Sequence, residues 1–303
     1  MAAPPRVVVI AGPTASGKTG LAVALAQRVG GEVVSADSQQ VYRGLDVGTA
    51  KPTLEERAAV PHHLLDVAEP GEGWDAARFV QLADEAIAAI VARGAVPLVV
   101  GGTGLYIRAL LHGMVEAPGR DPRLRAELES EAARLGRPAL HARLAAVDPE
   151  AATRIRPNDL VRIVRALEIA ASGKTQSELF RAHAFAPVRY QATLFALAPA
   201  REELQRRIDE RVEAMFRGGI LDEARLLLER FGAELPPRLP IGYGAAADVV
   251  RGRLTLEEAV RRVQAETRQY ARRQVIWLRS EPGVEWLTPP WDIASLARRV
   301  NSA

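Results

Sequence analysis

A glycine-rich loop between an apolar run and a helical pattern constrains this chain more than any other feature. The apolar run is Val7–Ala11, and the helical pattern begins over Leu21–Ala26. Between them stands GPTASGKT, which consists of Gly12, Pro13, Thr14, Ala15, Ser16, Gly17, Lys18 and Thr19. A strand, a loop of this spacing and a helix in succession are typical of a phosphate-binding loop, or P-loop. The chain is therefore expected to bind a di- or triphosphate.

The chemistry of the loop follows from its residue types. Glycines allow consecutive backbone N–H groups to wrap an anion, and the N-terminus of the next helix adds a favourable dipole. Lys18 supplies a mobile positive charge, and the Thr19 hydroxyl suits Mg²⁺ as a ligand. A glycine-rich turn that fits by chance is the alternative, and the loop alone does not identify the phosphate compound.

Length and composition exclude several classes of protein. The 303 residues are enough for one large domain or two smaller ones, and the absence of cysteine excludes disulfides, thiolate metal sites and cysteine nucleophiles. The sequence has no run of about eighteen apolar residues, and its first residues lack the layout of a signal peptide. We therefore expect a cytoplasmic protein without a membrane-spanning segment.

Alternating strand and helix patterns predict a parallel α/β fold. The predicted strands are 6–11, 32–35, 97–100, 192–197 and 284–287. The predicted helices are 17–29, 75–93, 122–135, 138–146, 149–155, 159–172, 200–214, 221–230, 255–279 and 292–300. The expected fold is a P-loop NTPase-like parallel sheet flanked by helices, with an inserted all-helical subdomain.

The insertion is predicted from a change in pattern. Strand signals almost vanish over residues 118–190, where helical patterns dominate, and they return near residue 192. This division predicts a catalytic core made of 1–117 and 191–303, with the helical segment 118–190 inserted into it. Within the core, Asp37 and the sequence Gly101–Gly104 both follow predicted strands. Ligands of open α/β sheets bind at such carboxyl ends.

Arginine-rich segments are candidates for phosphate or nucleic-acid contacts. The formal net charge is only +3, but arginine outnumbers lysine and is concentrated after residue 120. Arg162 and Arg165 stand three apart on one predicted helix, and Arg272 and Arg273 interleave with aromatic residues on another. Such patterns suit a nucleic-acid backbone. A solvated surface helix, or a codon bias toward arginine, would produce the same pattern.

In order and over nearly the whole length, these segments resemble the tRNA dimethylallyltransferases, also called tRNA isopentenyltransferases. The long second segment, DSQQVYRGLDVGTAKP, is the most specific of the matching pieces. The matching segments are Gly12–Thr19, Asp37–Pro52, Pro61–Asp66, Val100–Tyr106, Pro157–Glu168, Ser172–Lys174, Ile241–Tyr243 and Tyr270–Trp277.

The resemblance implies a reaction and a set of site residues. A dimethylallyl group would move from dimethylallyl diphosphate to N6 of the adenosine just 3′ of a tRNA anticodon, with Mg²⁺ assisting. Asp37 would act as the general base with Thr103 near the amine, and Lys18 and Thr19 would assist, Thr19 as the metal ligand. The diphosphate would lie on Gly12–Thr19, Arg207 and Arg211.

The resemblance also implies RNA contacts, with residues 118–190 gripping the anticodon stem-loop. The implied contacts are Asp37, Ser38, Gln39, Gln40, Thr103, Arg125, Arg162, Arg165, Gly242, Tyr243, Arg272, Arg273 and Gln274. Three positions depart from the family pattern, namely Val161, Arg272 and Gly244. These departures concern tRNA affinity rather than chemistry. We expect a monomer.

Three other functions share parts of this sequence pattern. A dimethylallyltransferase acting on free adenine nucleotides would share the P-loop and Asp37, but it has no need of a large helical insertion. A small-molecule kinase is compatible with Gly12–Thr19 alone. An RNA-binding protein that uses the P-loop as a nucleotide switch would bind tRNA without turnover.

Overall fold

The computed structural model of the chain describes residues 4–115, 117–119, 121–183, 189–237 and 239–302. Its contacts divide the chain into two compact units. The first combines Met1–Leu111 with Val188–Ala303, and the second is His112–Pro187. Residues 184–188, near the predicted end of the insertion, lie outside the described ranges.

The first unit is built on a parallel sheet, as the sequence predicts, and this sheet has six strands. The spatial order of the strands is β3-β2-β4-β1-β5-β6. The strands are β1 (Arg6–Ala11), β2 (Gly31–Ser35), β3 (His62–His63), β4 (Val96–Gly101), β5 (Gln191–Leu197) and β6 (Val284–Leu287). Because β1 is central, pairing with both β4 and β5, the loop that follows it lies in the middle of one sheet edge.

Helices cover both faces of this sheet. Those of the first unit are α1 (Lys18–Val29), α2 (Leu54–Ala59), α3 (Ala76–Ala92), α4 (Gly104–His112), α10 (Arg201–Arg217), α11 (Ile220–Phe231), α12 (Tyr243–Val250), α13 (Leu256–Ser280) and α14 (Ile293–Ser302). The short elements α2, β3 and α12 were not predicted. In the described part of the chain, no helix combines the length and apolar character that a membrane crossing requires.

Alternate residues of β1 divide the core into two layers, as the pleat of a strand requires. Val7 and Val9 join the cluster that contains Phe79 of α3. Val8 and Ile10 join the opposite cluster with Leu25 of α1. Because the strand is covered on both faces, it is apolar throughout, which is the pattern of a buried parallel strand.

The C-terminal helices of the first unit form a cluster of their own. Ile220, Ala224 and Leu227 of α11 pack there with Val263 of α13 and the fully buried Tyr243. The predicted helix 255–279 corresponds to α13, in which Leu256 is 48% exposed. It is the first helical residue after the N-cap Thr255, where the helix has only begun to approach its neighbours.

The second unit contains only helices in its described part. They are α5 (Pro122–Leu135), α6 (Arg137–Val147), α7 (Pro149–Arg154), α8 (Leu160–Ala171) and α9 (Gln176–His183). Asp121, Asp148 and Asp159 cap three of these helices through their side chains. Ile163 and Val164 of α8 are buried, so the apolar stripe of this helix faces the core of the unit.

Candidate active site

The loop between β1 and α1 has the conformation of an anion cradle. Gly17 is left-handed, with φ of 90°, and it provides no side-chain cap for α1. The first N–H groups of α1 are therefore available to an anion. Ala15 is also left-handed, with φ of 61°, a conformation that costs a non-glycine residue about 1–2 kcal/mol. The buried Ser16 hydroxyl has no hydrogen-bond partner among the described residues.

Two cations stand at this loop without a carboxylate partner in the described part of the chain. Lys18 Nζ donates to the Pro13 carbonyl at 2.8 Å. The pKa of Lys18 is lowered to about 8, mainly by desolvation; the charge of Asp37 opposes this shift and the charge of Arg211 contributes to it. Burial likewise lowers the pKa of Arg211, which Asp37 raises. A bound anion would restore the solvation that both cations have lost.

Arg211 and Arg207 differ in what they do at the loop. Arg211 Nη1 lies 3.5 Å from the Thr14 hydroxyl, so this arginine touches the loop directly. Arg207 donates to Glu203 at 2.6 Å. Its Nη1 lies 3.8 Å from the point where a Cβ on Gly17 would stand. Both predicted diphosphate contacts therefore lie beside the predicted cradle.

Asp37 follows β2 and is held by a local turn. Its Oδ1 accepts the N–H groups of Gln39 at 2.8 Å and Gln40 at 3.4 Å. Its Oδ2 has no hydrogen-bond partner in the described residues. The turn therefore uses one carboxylate oxygen of Asp37 and leaves the other available for proton transfer.

The loop after β4 reaches the segment that carries Asp37. The Thr103 hydroxyl accepts the N–H of Ser38 at 3.1 Å, and the N–H of Thr103 donates to the Ala36 carbonyl at 3.3 Å. A Cβ on Gly101 would stand 2.2 Å from that same carbonyl oxygen. Glycine is required there because the backbones after β2 and β4 approach so closely.

Gln274 is buried, at 5% exposure, between the loops after β1 and β4. Its Oε1 accepts the N–H of Thr14 at 2.8 Å, and its Nε2 donates to the Gly102 carbonyl at 2.9 Å. The resemblance placed Gln274 among the RNA contacts. With both amide atoms engaged inside the unit, the side chain does not present a free polar group to RNA.

Two further predicted RNA contacts are buried. Gly242 is the N-cap of α12, and Tyr243 is the first residue of this helix. The Tyr243 ring is 0% exposed and its hydroxyl donates to Glu223 at 2.6 Å, so it is a core residue. Arg272 and Arg273 on α13 are exposed. The Arg273 guanidinium lies 5.8 Å from the centre of the Tyr270 ring.

Gln39 and Gln40 flank Asp37 and are partly exposed. Gln39 Nε2 donates to the Ser38 hydroxyl at 3.0 Å, and Gln40 Nε2 donates to the Ala50 carbonyl at 3.1 Å. The Ser35 hydroxyl donates to Gln40 Oε1 at 3.3 Å. The side chain of Gln40 therefore stabilises its own segment through hydrogen bonds, whereas Gln39 Oε1 has no partner among the described residues.

The three arginines predicted to contact RNA from the helical unit have different environments. Arg125 makes a two-pronged ion pair with Glu168, whose side chain is 1% exposed. Arg165 donates to the Pro118 carbonyl at 2.7 Å. The Arg162 side chain is 71% exposed and lies 3.4 Å from Asp159. Arg162 is thus exposed to solvent, while Arg125 forms an ion pair within the unit.

Sequence reasoning missed two residues that shape the segment after Asp37. Glu223 of α11 accepts the N–H groups of Asp46, Val47 and Gly48 at 2.8, 2.8 and 3.2 Å. The Lys51 ammonium, 1% exposed, pairs at 2.5 Å with both Asp46 and Asp66. Lys51 lies inside the matched segment Asp37–Pro52, but no local signal marks Glu223, which lies far away in the sequence.

The parallel sheet and the anion cradle after β1 define a P-loop protein. The family model described as IPP transferase matches residues 40–281. A protein from Anaeromyxobacter sp. (strain K), named tRNA dimethylallyltransferase, is 74% identical over 97% of each chain. A protein of the same name from Myxococcus xanthus is 55% identical over 96% of this chain and 94% of its own.

Solved structures agree with the sequence relatives. A tRNA isopentenylpyrophosphate transferase from Bacillus halodurans is 39% identical, with a TM-score of 0.72 over 98% of this chain and 96% of its own. A eukaryotic dimethylallyltransferase acting on tRNA is 30% identical, with a TM-score of 0.79 over 98% of this chain and 78% of its own. The chain belongs to the IPP transferase family, which confirms the resemblance.

Proposed function

We infer that this chain is a prenyltransferase that modifies tRNA by transferring a dimethylallyl group to the N6 amine of an adenosine. The observation that carries this inference is the family match over nearly the full chain, combined with an anion cradle that stands beside a carboxylate. The proposed donor is dimethylallyl diphosphate. The proposed acceptor is the adenosine just 3′ of the anticodon, position 37 of the tRNA.

The cradle is suited to a leaving diphosphate. An allylic C–O bond breaks readily once the charge developing on the diphosphate is stabilised, and preorganised donors supply that stabilisation without reorganisation. In our proposal the backbone N–H groups at the start of α1, Lys18 and Arg211 stabilise this charge. The lowered pKa values of Lys18 and Arg211 support the assignment, because both cations are desolvated before the ligand arrives.

The residues at the cradle also fit Mg²⁺. The described residues hold no group of three or more His, Asp or Glu side chains that could bind a metal by themselves. Mg²⁺ usually takes one or two protein oxygens together with substrate phosphates and water. The Thr19 hydroxyl, in the first turn of α1, would supply one such oxygen. When bound, the ion would neutralise charge on the departing diphosphate.

The acceptor amine needs a base because its lone pair is delocalised into the adenine ring. Asp37 is the proposed base: it approaches the cradle closely enough to influence Lys18 and Arg211, and one of its oxygens has no partner in the described residues. Proton transfer to a positioned carboxylate contributes about 10²–10⁴-fold to a rate. Thr103 holds the Asp37 segment through Ser38 and would lie near the amine.

We further propose that the helical unit grips the anticodon stem-loop, with the exposed Arg162 as a phosphate contact. Proteins read RNA mainly at single-stranded loops whose bases can be turned outward, and the target adenine must leave its stack to be modified. Arg272 and Arg273 are exposed and remain candidates for the same role. A monomeric state and a cytoplasmic location remain predictions.

The experiment that tests this function is transfer of labelled dimethylallyl from its diphosphate with Mg²⁺. An unmodified anticodon stem-loop, the same stem-loop with guanosine at the target position, and AMP are offered in parallel. We expect label on the adenosine stem-loop only. Label on AMP alone would favour the free-nucleotide enzyme. Absence of label from every acceptor, together with γ-phosphate transfer from ATP, would favour a kinase.

A further inference from the structure

We propose that Gln274 is a positioning residue that fixes the diphosphate cradle relative to the loop on the acceptor side. This inference rests on the proposed function, because the two loops are assigned to donor and acceptor only there. Gln274 is on α13, far in sequence from both loops, and its amide connects their backbones.

The hydrogen bonds of Gln274 define its orientation. Thr14 offers an N–H to Oε1 at 2.8 Å, and Gly102 offers a carbonyl to Nε2 at 2.9 Å. Only one orientation of a side-chain amide satisfies a backbone donor on one side and a backbone acceptor on the other. No charged side chain could supply both an acceptor and a donor at neutral pH, so the position favours a glutamine.

The packing around Gln274 leaves little freedom. A Cβ on Gly102 would stand 2.0 Å from Gln274 Nε2. A Cβ on Gly104 would stand 2.1 Å from the Trp277 ring, which lies nearly one helical turn further along α13. Both glycines of the loop after β4 are therefore required because side chains of α13 occupy the space beside them. The loop cannot move toward α13, and Gln274 prevents it from moving away.

Each end of the bridge continues into residues of the proposed reaction. Thr14 contacts Arg211 through its hydroxyl, at 3.5 Å. Gly102 precedes Thr103, whose hydroxyl accepts the N–H of Ser38, the residue after Asp37. The path from the diphosphate cradle to the proposed base thus passes through one buried amide. A displacement of about 1 Å between reacting groups can lower a rate 10²-fold. By fixing the distance between the cradle and the proposed base, this amide therefore affects the rate of transfer.

The bridge is tested with Gln274→Met, which keeps the length and approximate volume of the side chain and removes both hydrogen bonds. Gln269→Met is the matched control, because Gln269 is an exposed residue of the same helix. For wild type and both variants, four quantities are measured: kcat for transfer to the stem-loop, Kd for the stem-loop, Kd for inorganic pyrophosphate with Mg²⁺, and Tm.

We expect Gln274→Met to lower kcat about 10²-fold and to weaken pyrophosphate binding about tenfold. Its Kd for the stem-loop is expected to match that of Gln269→Met. A weaker stem-loop affinity with unchanged kcat and pyrophosphate binding would overturn the bridge and restore Gln274 as an RNA contact. A lowered Tm with kcat and pyrophosphate binding unchanged would also overturn it, because Gln274 would then serve packing alone.

Gln274→Glu gives a second test, because a residue that served packing alone would not make kcat depend on pH. The ionised carboxylate places an oxygen against the Gly102 carbonyl, whereas the protonated acid donates to it as the amide does. The kcat of this variant relative to wild type should therefore rise as the pH is lowered, and a ratio independent of pH would contradict the bridge. If the wild type transfers nothing to the stem-loop, the proposed function fails, while the pyrophosphate arm still tests the bridge.

Discussion

Pyrophosphate binding should depend on pH through Lys18. This ammonium lies at the cradle, and burial lowers its pKa from 10.5 to about 8. A lowered pKa means that the folded protein releases this proton at a lower pH than the unfolded chain does. The charged form, which binds an anion, therefore predominates below pH 8 and is lost as the pH rises through 8.

The size of the expected change in pyrophosphate affinity follows from the charged fraction of Lys18. With a pKa of about 8, the charged fraction of Lys18 is about 0.9 at pH 7 and about 0.1 at pH 9. If only the charged form binds, the association constant for pyrophosphate should fall about tenfold between these two pH values. An unperturbed lysine would lose almost nothing over the same range, because its pKa is about 10.4.

The assay is calorimetric titration of pyrophosphate with Mg²⁺ into wild type and Lys18→Met at several pH values. The variant reports the ligand's own ionisation, so the ratio of the two association constants isolates Lys18. We expect this ratio to fall about tenfold from pH 7 to pH 9. A ratio that stays constant up to pH 9 would refute the lowered pKa of Lys18. A ratio of one at every pH would show that Lys18 does not contribute to pyrophosphate binding.

Further predictions concern stability and RNA binding. Arg125→Ala should destabilise the protein by about 2 kcal/mol in urea unfolding, because the buried carboxylate of Glu168 loses its two-pronged partner and keeps only Arg165 at 3.6 Å; a loss below about 1 kcal/mol would contradict this. Arg162→Ala should leave stability unchanged and reduce the slope of log K for tRNA binding against log salt concentration by about 1. An unchanged slope would show that this exposed arginine does not contact RNA phosphate. Tyr243→Phe should cost about 1–2 kcal/mol through its bond to Glu223, and weaker tRNA binding without any loss of stability would refute its assignment to the core. Hydrogen bonding to Arg93, then to His63, lowers the pKa of Glu32, so Glu32→Gln should lower Tm at pH 7, and this difference should disappear as the pH falls through the folded pKa of Glu32; a Tm difference that persists in acid would exclude this origin.

Five of the six strands could be predicted because each is a short apolar run followed by a turn or loop signal. Val7–Ala11 is apolar at every position because both faces of β1 are covered. The helix α12 was missed because it is short, follows a glycine N-cap, Gly242, and is rich in alanine, so its periodicity is weak. The two-residue strand β3 is too short for any pattern.

The site residues that lie within short contiguous motifs could be predicted from the sequence. Lys18, Thr19 and Asp37 stand within or just beyond contiguous motifs that follow strands, and the structure places Lys18 within the electrostatic influence of Asp37. Gln274 was assigned to RNA by the family resemblance, and the sequence offered no correction because a polar side chain gives no apolar signal of burial. Glu223 could not be found, because its role arises from three backbone N–H groups about 175 residues away in the chain.

The most direct test of the account is the single-turnover rate of dimethylallyl transfer by Asp37→Asn, with enzyme and diphosphate saturating over the stem-loop. The substitution keeps an oxygen for the N–H groups of Gln39 and Gln40 but removes the basic carboxylate. We predict a rate about 10²–10⁴-fold below wild type, with an unchanged Kd for the stem-loop. A wild-type rate in the bound complex would contradict the assignment of Asp37 as the base.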